Sequence, residues 1–308
     1  KNCFGVIAPF ADQPALAEDF SRFRGEAVAL VAGEREAILD LDLADFPVRW
    51  TELPPVMQPC ESQAGGVQLI HENRPANLLT SGFVERGDPD GALAGAAFTV
   101  SGAIDTSYVE HAYIEPEAGY AYVDGDTLVV VACTQAPYMD RDDVAKVLGL
   151  AVDKVRIVPT ATGGGFGSKL DVSLQPLIGL VAMKTGRPAA LAYTRNESMI
   201  STTKRHPAEM KAGQRLESGV GIAECLEALR PHWMRALVDA DAFNSANDSR
   251  KRGVGVASCW YGCGNTSLPN PSTIRVGISA EGDVVLHQGA VDIGQGSNTV
   301  IAQICADA

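Results

Sequence analysis

The residues whose spacing carries the most chemistry are Gly163-Gly164-Gly165-Phe166-Gly167-Ser168-Lys169. They follow Asp153 to Pro159, which reads as a short strand, and precede Asp171 to Thr185, where Val172, Leu174, Leu177, Ile178, Leu180 and Val181 predict a helix. Glycines at such a junction let backbone N–H groups come close to a ligand, and a helix N-terminus beyond them favours anionic groups such as phosphate. Neither the P-loop spacing nor G-x-G-x-x-G fits. A turn that only joins strand to helix needs one left-handed glycine, whereas four glycines in five positions around Phe166 favour close backbone approach. The loop is a candidate phosphate cradle.

A second glycine turn lies at Asp292-Ile293-Gly294-Gln295-Gly296, between a predicted strand and a helix opening at Val300. The Gln295 side chain both donates and accepts hydrogen bonds, so its residues alone fit an ordinary turn and a binding site equally. Glu110, His111, Glu115 and Glu117 invite a metal or acid–base reading. Alternate residues of a strand point to opposite faces, so pairing and hydrogen bonding that set the fold is the favoured reading. Lys204-Arg205-His206 reads as a solvated basic face. The seven cysteines are odd in number and scattered, which fits a reducing compartment; Cys259 and Cys263 lack the further pair of a zinc or iron–sulfur site.

The elements that must position these residues alternate strand and helix. Strands are predicted at 97–102, 127–132, 153–159 and 189–194, and helices at 140–150 and 171–185, an α/β rhythm. Upstream, 27–32 and 46–51 read as strands around a helix over 34–45, followed by a linker at 58–92. Downstream, 221–229 reads as a helix, 239–252 as a polar connector, and 272–278 with 283–287 as a hairpin about Glu281-Gly282.

At 308 residues the chain is long enough for two domains, and 46% apolar with 20% charged residues is ordinary for a globular protein. Its 25 basic against 38 acidic side chains argue against nucleic acid, which is bound by neutralising phosphates. No apolar run is long enough to cross a bilayer and no secretory pattern opens the chain, so the expected compartment is cytoplasmic.

GGGFGSK, preceded by Glu110-His111-Ala112-Tyr113-Ile114-Glu115-Pro116-Glu117 and Thr134-Gln135-Ala136-Pro137 and followed by Asp292 to Gly296, resembles in content and order the molybdenum subunit of the xanthine dehydrogenase and aldehyde oxidase (molybdenum hydroxylase) family. The resemblance implies a mixed α/β (α+β) fold: the C-terminal part of an α/β hammerhead domain over 1–57, a linker over 58–92 and a molybdopterin-binding domain over 93–308. It breaks between Ala212 and Gly213, and the chain stops before the family's C-terminal glutamate motif, so no catalytic base is assigned. By resemblance, Gly164, Gly165, Phe166, Gly167, Gln295 and Gly296 hold the molybdopterin. Phe166 lies against the metal's ligand shell through backbone, not as a direct ligand.

The implied activity is oxidative hydroxylation of an aldehyde or N-heteroaromatic small molecule. Electrons would pass to 2Fe-2S and FAD groups on other domains or subunits, within an oligomer. Xanthine-oxidising members carry a glutamine where this chain has Val109, which weakens the case for a purine. A non-catalytic partner subunit and a nucleotide-dependent oxidoreductase are the alternatives.

Overall fold

The computed structural model describes residues 2–5, 10–44, 46–82, 87–95, 101–213, 222–247, 249–256 and 273–307. The chain divides into two compact units. The larger comprises Lys1–Phe83, Thr106–Ala208 and Ile274–Ala308, and the smaller Val84–Asp105 and Glu209–Thr273.

The larger unit opens with short pieces: strands β1 (Cys3–Phe4) and β2 (Gln13–Pro14), and helices α1 (Arg35–Leu39) and α2 (Pro59–Ser62). Its centre is β4 (Ala118–Asp124), β5 (Thr127–Ala132), α4 (Pro137–Leu148), β6 (Val155–Pro159), α5 (Gln175–Thr185), β7 (Ala189–Ala192) and α6 (Arg195–Ser201), and it closes with β9 (Arg275–Ile278), β10 (Val284–His287) and α8 (Ser297–Asp307). The smaller unit holds α3 (Pro89–Ala94), all but the end residues Thr106 and Ala208 of the paired strands β3 (Ser101–Thr106) and β8 (Ala208–Gly213), and α7 (Ile222–Ala246).

The central sheet has the order β6-β5-β4-β7, with β5 and β6 parallel and the other pairs antiparallel. β5 is the run Thr127-Leu128-Val129-Val130-Val131-Ala132, and its consecutive buried residues mark a strand covered on both faces. Leu128, Val130 and Ala132 pack with Val144 and Ala145 of α4 and with Leu174, Ile178 and Ala182 at α5. A Cβ on Gly179 would sit 3.0 Å from Leu128 Cδ2, so this glycine lets α5 lie close on the sheet. Parallel pairing brings Ala132 beside Pro159, so the segments leaving β5 and β6 emerge at the same end of the sheet.

The helix predicted from Asp171 begins at Gln175. Pro176 has no N–H and its ring would clash with the carbonyl of Val172 in a longer helix, so the chain reaches α5 through bends. The glycine loop therefore does not open directly onto a helix N-terminus. The expected strands at 27–32 and 46–51 are irregular backbone, and the helix between them shrinks to α1. Val31, Leu39 and Trp50 are exposed there, and an apolar run becomes a strand only with a partner to pair with. The connector expected at 239–252 is helical as far as Ala246, because Ala240 and Phe243 continue the apolar spacing of α7. Most of the strand predicted at 97–102, together with Cys259 and Cys263, lies outside the described residues. The hairpin forms as expected, with Val284 opposite Ile278.

Asp140, only 1% exposed in the first turn of α4, accepts a hydrogen bond from Gln175 Nε2 at 3.1 Å and so ties α4 to α5. Burial pushes its pKa up to about 7; hydrogen bonds from Thr134 and Gln175 oppose the rise, and the charges of Asp143 and Asp171 add to it. The folded carboxyl thus keeps its proton to higher pH than the unfolded one, so this group makes stability fall as pH rises from about 4 through 7. Asp140→Asn should raise the thermal midpoint by a few degrees at about pH 8 and change it little at about pH 4.5. An identical effect at both pH values, read by calorimetry, would show that the carboxyl does not titrate in this window.

Candidate functional site

Both ends of the glycine loop are tied down by hydrogen bonds. At the start, Gly163 N donates to Glu115 Oε2 at 2.8 Å, and Glu115 N donates to Gly163 O at 3.3 Å. At the end, Gln135 Oε1 accepts from Gly167 N at 2.9 Å and Lys169 N at 3.3 Å, while Gln135 N donates to Lys169 O at 2.9 Å. Ser168 adds a bond from Oγ to Thr203 O at 2.9 Å. Between these anchors the N–H groups of Gly164, Gly165 and Phe166 donate to none of the described residues.

The apex backbone has left-handed φ values at Gly164 (94°), Phe166 (53°) and Gly167 (94°), but not at Gly165. Backbone that changes hand from residue to residue, as at Gly164, Gly165 and Phe166, is of the kind in which successive N–H groups line an anion-binding concavity. A positive φ in phenylalanine costs on the order of 1–3 kcal/mol, so the surrounding anchors must impose it. The Phe166 side chain is 67% exposed, and its ring would lie 3.2 Å from a Cβ on Gly164.

The frame behind the loop is polar and buried. Lys169, 3% exposed, donates from Nζ to Glu115 O at 2.8 Å and Oε2 at 3.0 Å and sits 4.5 Å from the Tyr113 ring centroid. The Tyr113 hydroxyl bonds Glu117; burial first, and then that bond, raise its pKa. Arg195, at the start of α6, donates to Tyr113 O at 2.7 Å and Ile114 O at 2.6 Å. Glu110 pairs with Lys204 at 2.7 Å, so Lys204 belongs to a half-buried ion pair rather than the solvated face that sequence led us to expect. The three carboxylates serve three separate partners, as their fold-setting reading required. Among the described residues no group of three His, Cys, Asp or Glu could hold a metal ion.

In the second glycine turn most backbone donors bond within the turn. Asp292 accepts from the N–H groups of Gly294, Gly296 and Asn298 at 3.0, 3.3 and 3.2 Å, bonds that hold its carboxyl below the usual range. Gln295 accepts from Ile293 N at 2.6 Å and donates to Val291 O at 2.8 Å. This turn lines an open groove of about 950 Å³ together with Arg141, Arg156, Thr160 and Thr162. Gly294 borders that groove, but Gly164, Gly165, Phe166, Gly167, Gln295 and Gly296 do not, so one pocket does not gather the expected site residues. Sequence reasoning gave no role to Gln135, Lys169 or Arg195. The available signal was Thr134-Gln135-Ala136-Pro137, a polar residue between a buried strand and a proline-started helix.

A mixed α/β core thus carries a glycine loop whose apical backbone donors have no acceptor among the described residues. The chain belongs to the molybdopterin cofactor-binding family: descriptions of "Molybdopterin cofactor-binding domain" match residues 70–218 and 224–308, together most of its length. It is 35% identical over 207 residues to a probable xanthine dehydrogenase subunit of Bacillus subtilis, covering 67% of this chain and 27% of that protein. It is 35% identical over 211 residues to the nicotinate dehydrogenase large molybdopterin subunit of Eubacterium barkeri, covering 68% of this chain and 49% of that one. The match thus spans half or less of these relatives.

Among solved structures, the aldehyde oxidoreductase of Desulfovibrio desulfuricans aligns with a TM-score of 0.60 at 25% identity, over 69% of this chain and 25% of that one. Quinoline 2-oxidoreductase of Pseudomonas putida 86 aligns at 0.55 and 26% identity, over 65% of this chain and 26% of that one. The fold class is the mixed α/β, α+β arrangement expected.

Lys169→Met should destabilise the protein by about 3 kcal/mol, the lower end for breaking a buried pair, because Glu115 retains some solvent. Adding Glu115→Gln should recover part of that loss in chemical denaturation. A double variant no better than the single one would show that the lysine acts by packing alone.

Proposed function

We propose that this chain is the molybdopterin-binding part of a molybdenum hydroxylase that oxidatively hydroxylates an aldehyde or an N-heteroaromatic molecule. The observation that carries the reading is the run of three backbone N–H groups, Gly164 to Phe166, left without acceptors among the described residues while every neighbouring donor of the loop is taken. Buried or ligand-facing donors of this kind call for an acceptor, and an oxo or phosphate group supplies one. Bound molybdopterin would supply the two-electron redox chemistry, leaving the protein to bind and orient.

In this reading Gly164, Gly165 and Phe166 hold the group through backbone. Gly167 acts through its φ of 94°, since its N–H is committed to Gln135. The Phe166 ring, exposed beside the apex, forms an apolar wall that limits water. Gln295 and Gly296 join the site on exchanging their present partners within the second turn. When loaded, such a protein would need 2Fe-2S and FAD groups on partner domains or subunits, in a cytoplasmic oligomer, to take the electrons. Residues 1–57 and 93–308 correspond to the hammerhead remainder and the cofactor-binding domain.

Metal and pterin analysis of the purified protein tests the reading, and Gly165→Val localises it. A Cβ at Gly165 would lie 2.3 Å from Gln135 Oε1, so the variant must push the carboxamide away and disturb the apex. Bound molybdenum should fall to near zero, while stability drops by no more than about 1–3 kcal/mol. Unchanged molybdenum in the variant would remove this loop from the site.

A further inference from the structure

We infer that Gln135 is the positioning residue of the glycine loop, and that its neutral carboxamide, not merely an acceptor of that shape, is what allows the loop to hold an anion. The inference rests on the proposed cofactor-binding reading and names the residue on which the loop's conformation depends.

Three hydrogen bonds join residue 135 to residues 167 and 169, two of them to the single atom Oε1. Two N–H donors converging on one end of the side chain identify that end as oxygen, so the amide nitrogen occupies the other end, where it bonds to none of the described residues. The carboxamide also lies flat on Gly165: a Cβ there would be 2.3 Å from Oε1, 2.6 Å from Cδ and 2.9 Å from Cγ. Gly165 has no left-handed φ, so the space taken by Gln135, rather than backbone conformation, is what requires glycine at this position.

Gln135 fixes Gly167 and Lys169, and the three preceding N–H groups, from half-buried Gly164 through buried Gly165 to exposed Phe166, keep no acceptor among the described residues. Glutamate at 135 would satisfy the same two donors but set a negative charge against Gly165, beneath the apex that has to accept an anion. Leucine would fill the space and satisfy neither donor. The two substitutions therefore separate holding the loop from permitting the anion.

The test compares the intact protein with Gln135→Leu and Gln135→Glu by amide hydrogen exchange, by molybdenum content, and by titration of cofactor-stripped protein with inorganic sulfate. Exchange at Gly167 and Lys169 should be slow in the parent and in Gln135→Glu and fast in Gln135→Leu. Sulfate should slow exchange at Gly164 to Phe166 in the parent and bind Gln135→Glu at least about tenfold more weakly near neutral pH. That loss should recover as pH falls through the new carboxyl's pKa, a step the parent lacks. Unchanged protection of Gly167 and Lys169 in Gln135→Leu overturns the positioning role. Sulfate binding by Gln135→Glu equal to the parent's at every pH overturns the requirement for neutrality. Should Gln135→Leu fail to fold, Gln135→Glu decides: protected amides with weak, pH-recoverable binding support the inference, and lost protection overturns it. A parent protein without molybdenum would defeat the proposed function, while the exchange and sulfate results would still decide the role of Gln135.

Discussion

Backbone N–H groups cannot be left without acceptors at no cost, and the glycine loop distributes them unequally. Glu115 takes the donor at its start, and Gln135 takes two at its end. The three between them have no acceptor among the described residues. This division decides what the loop can bind, because a loop whose donors were all satisfied internally would have nothing to offer an anion. The second turn makes the contrast plain: the Asp292 and Gln295 side chains take the N–H groups of Ile293, Gly294, Gly296 and Asn298.

Holding three donors free requires a rigid frame, and the frame is polar. Lys169 is buried under Tyr113 and bonded twice to Glu115, and Arg195 fixes the carbonyls of Tyr113 and Ile114. A buried lysine is tolerated only when its charge is paired and its protons are bonded, as here. Charge-assisted bonds of this kind are strong and directional, and they can maintain the left-handed φ of Phe166 that an apolar surrounding would let relax.

Beneath the frame lies a sheet whose parallel pair explains why distant residues meet. Gln135 and Gly167 are far apart in sequence, yet β5 and β6 run side by side in the same direction and release their chains at one end. Asp140 then binds Gln175 and holds α4 against α5, so the helices flanking both segments are fixed to each other.

The sequence by itself settled the elements with strong apolar period: β5, β6, the helix that became α4, β7, the β9–β10 hairpin and the helix opening near Val300. It also settled the family, since GGGFGSK and Asp292 to Gly296 are local motifs whose order can be read along the chain. It overreached at 27–32 and 46–51, where apolar runs have no partner strand among the described residues, and at Asp171, where Pro176 delays the helix. Only the tertiary structure assigned roles to Gln135, Lys169 and Arg195, because each role is a contact across 32 or more positions of chain. It alone distinguished a turn with three successive donors lacking acceptors among the described residues from one whose side chains take most of its donors. A glycine motif records permission for close approach; which N–H groups remain free depends on where the rest of the fold places its oxygens.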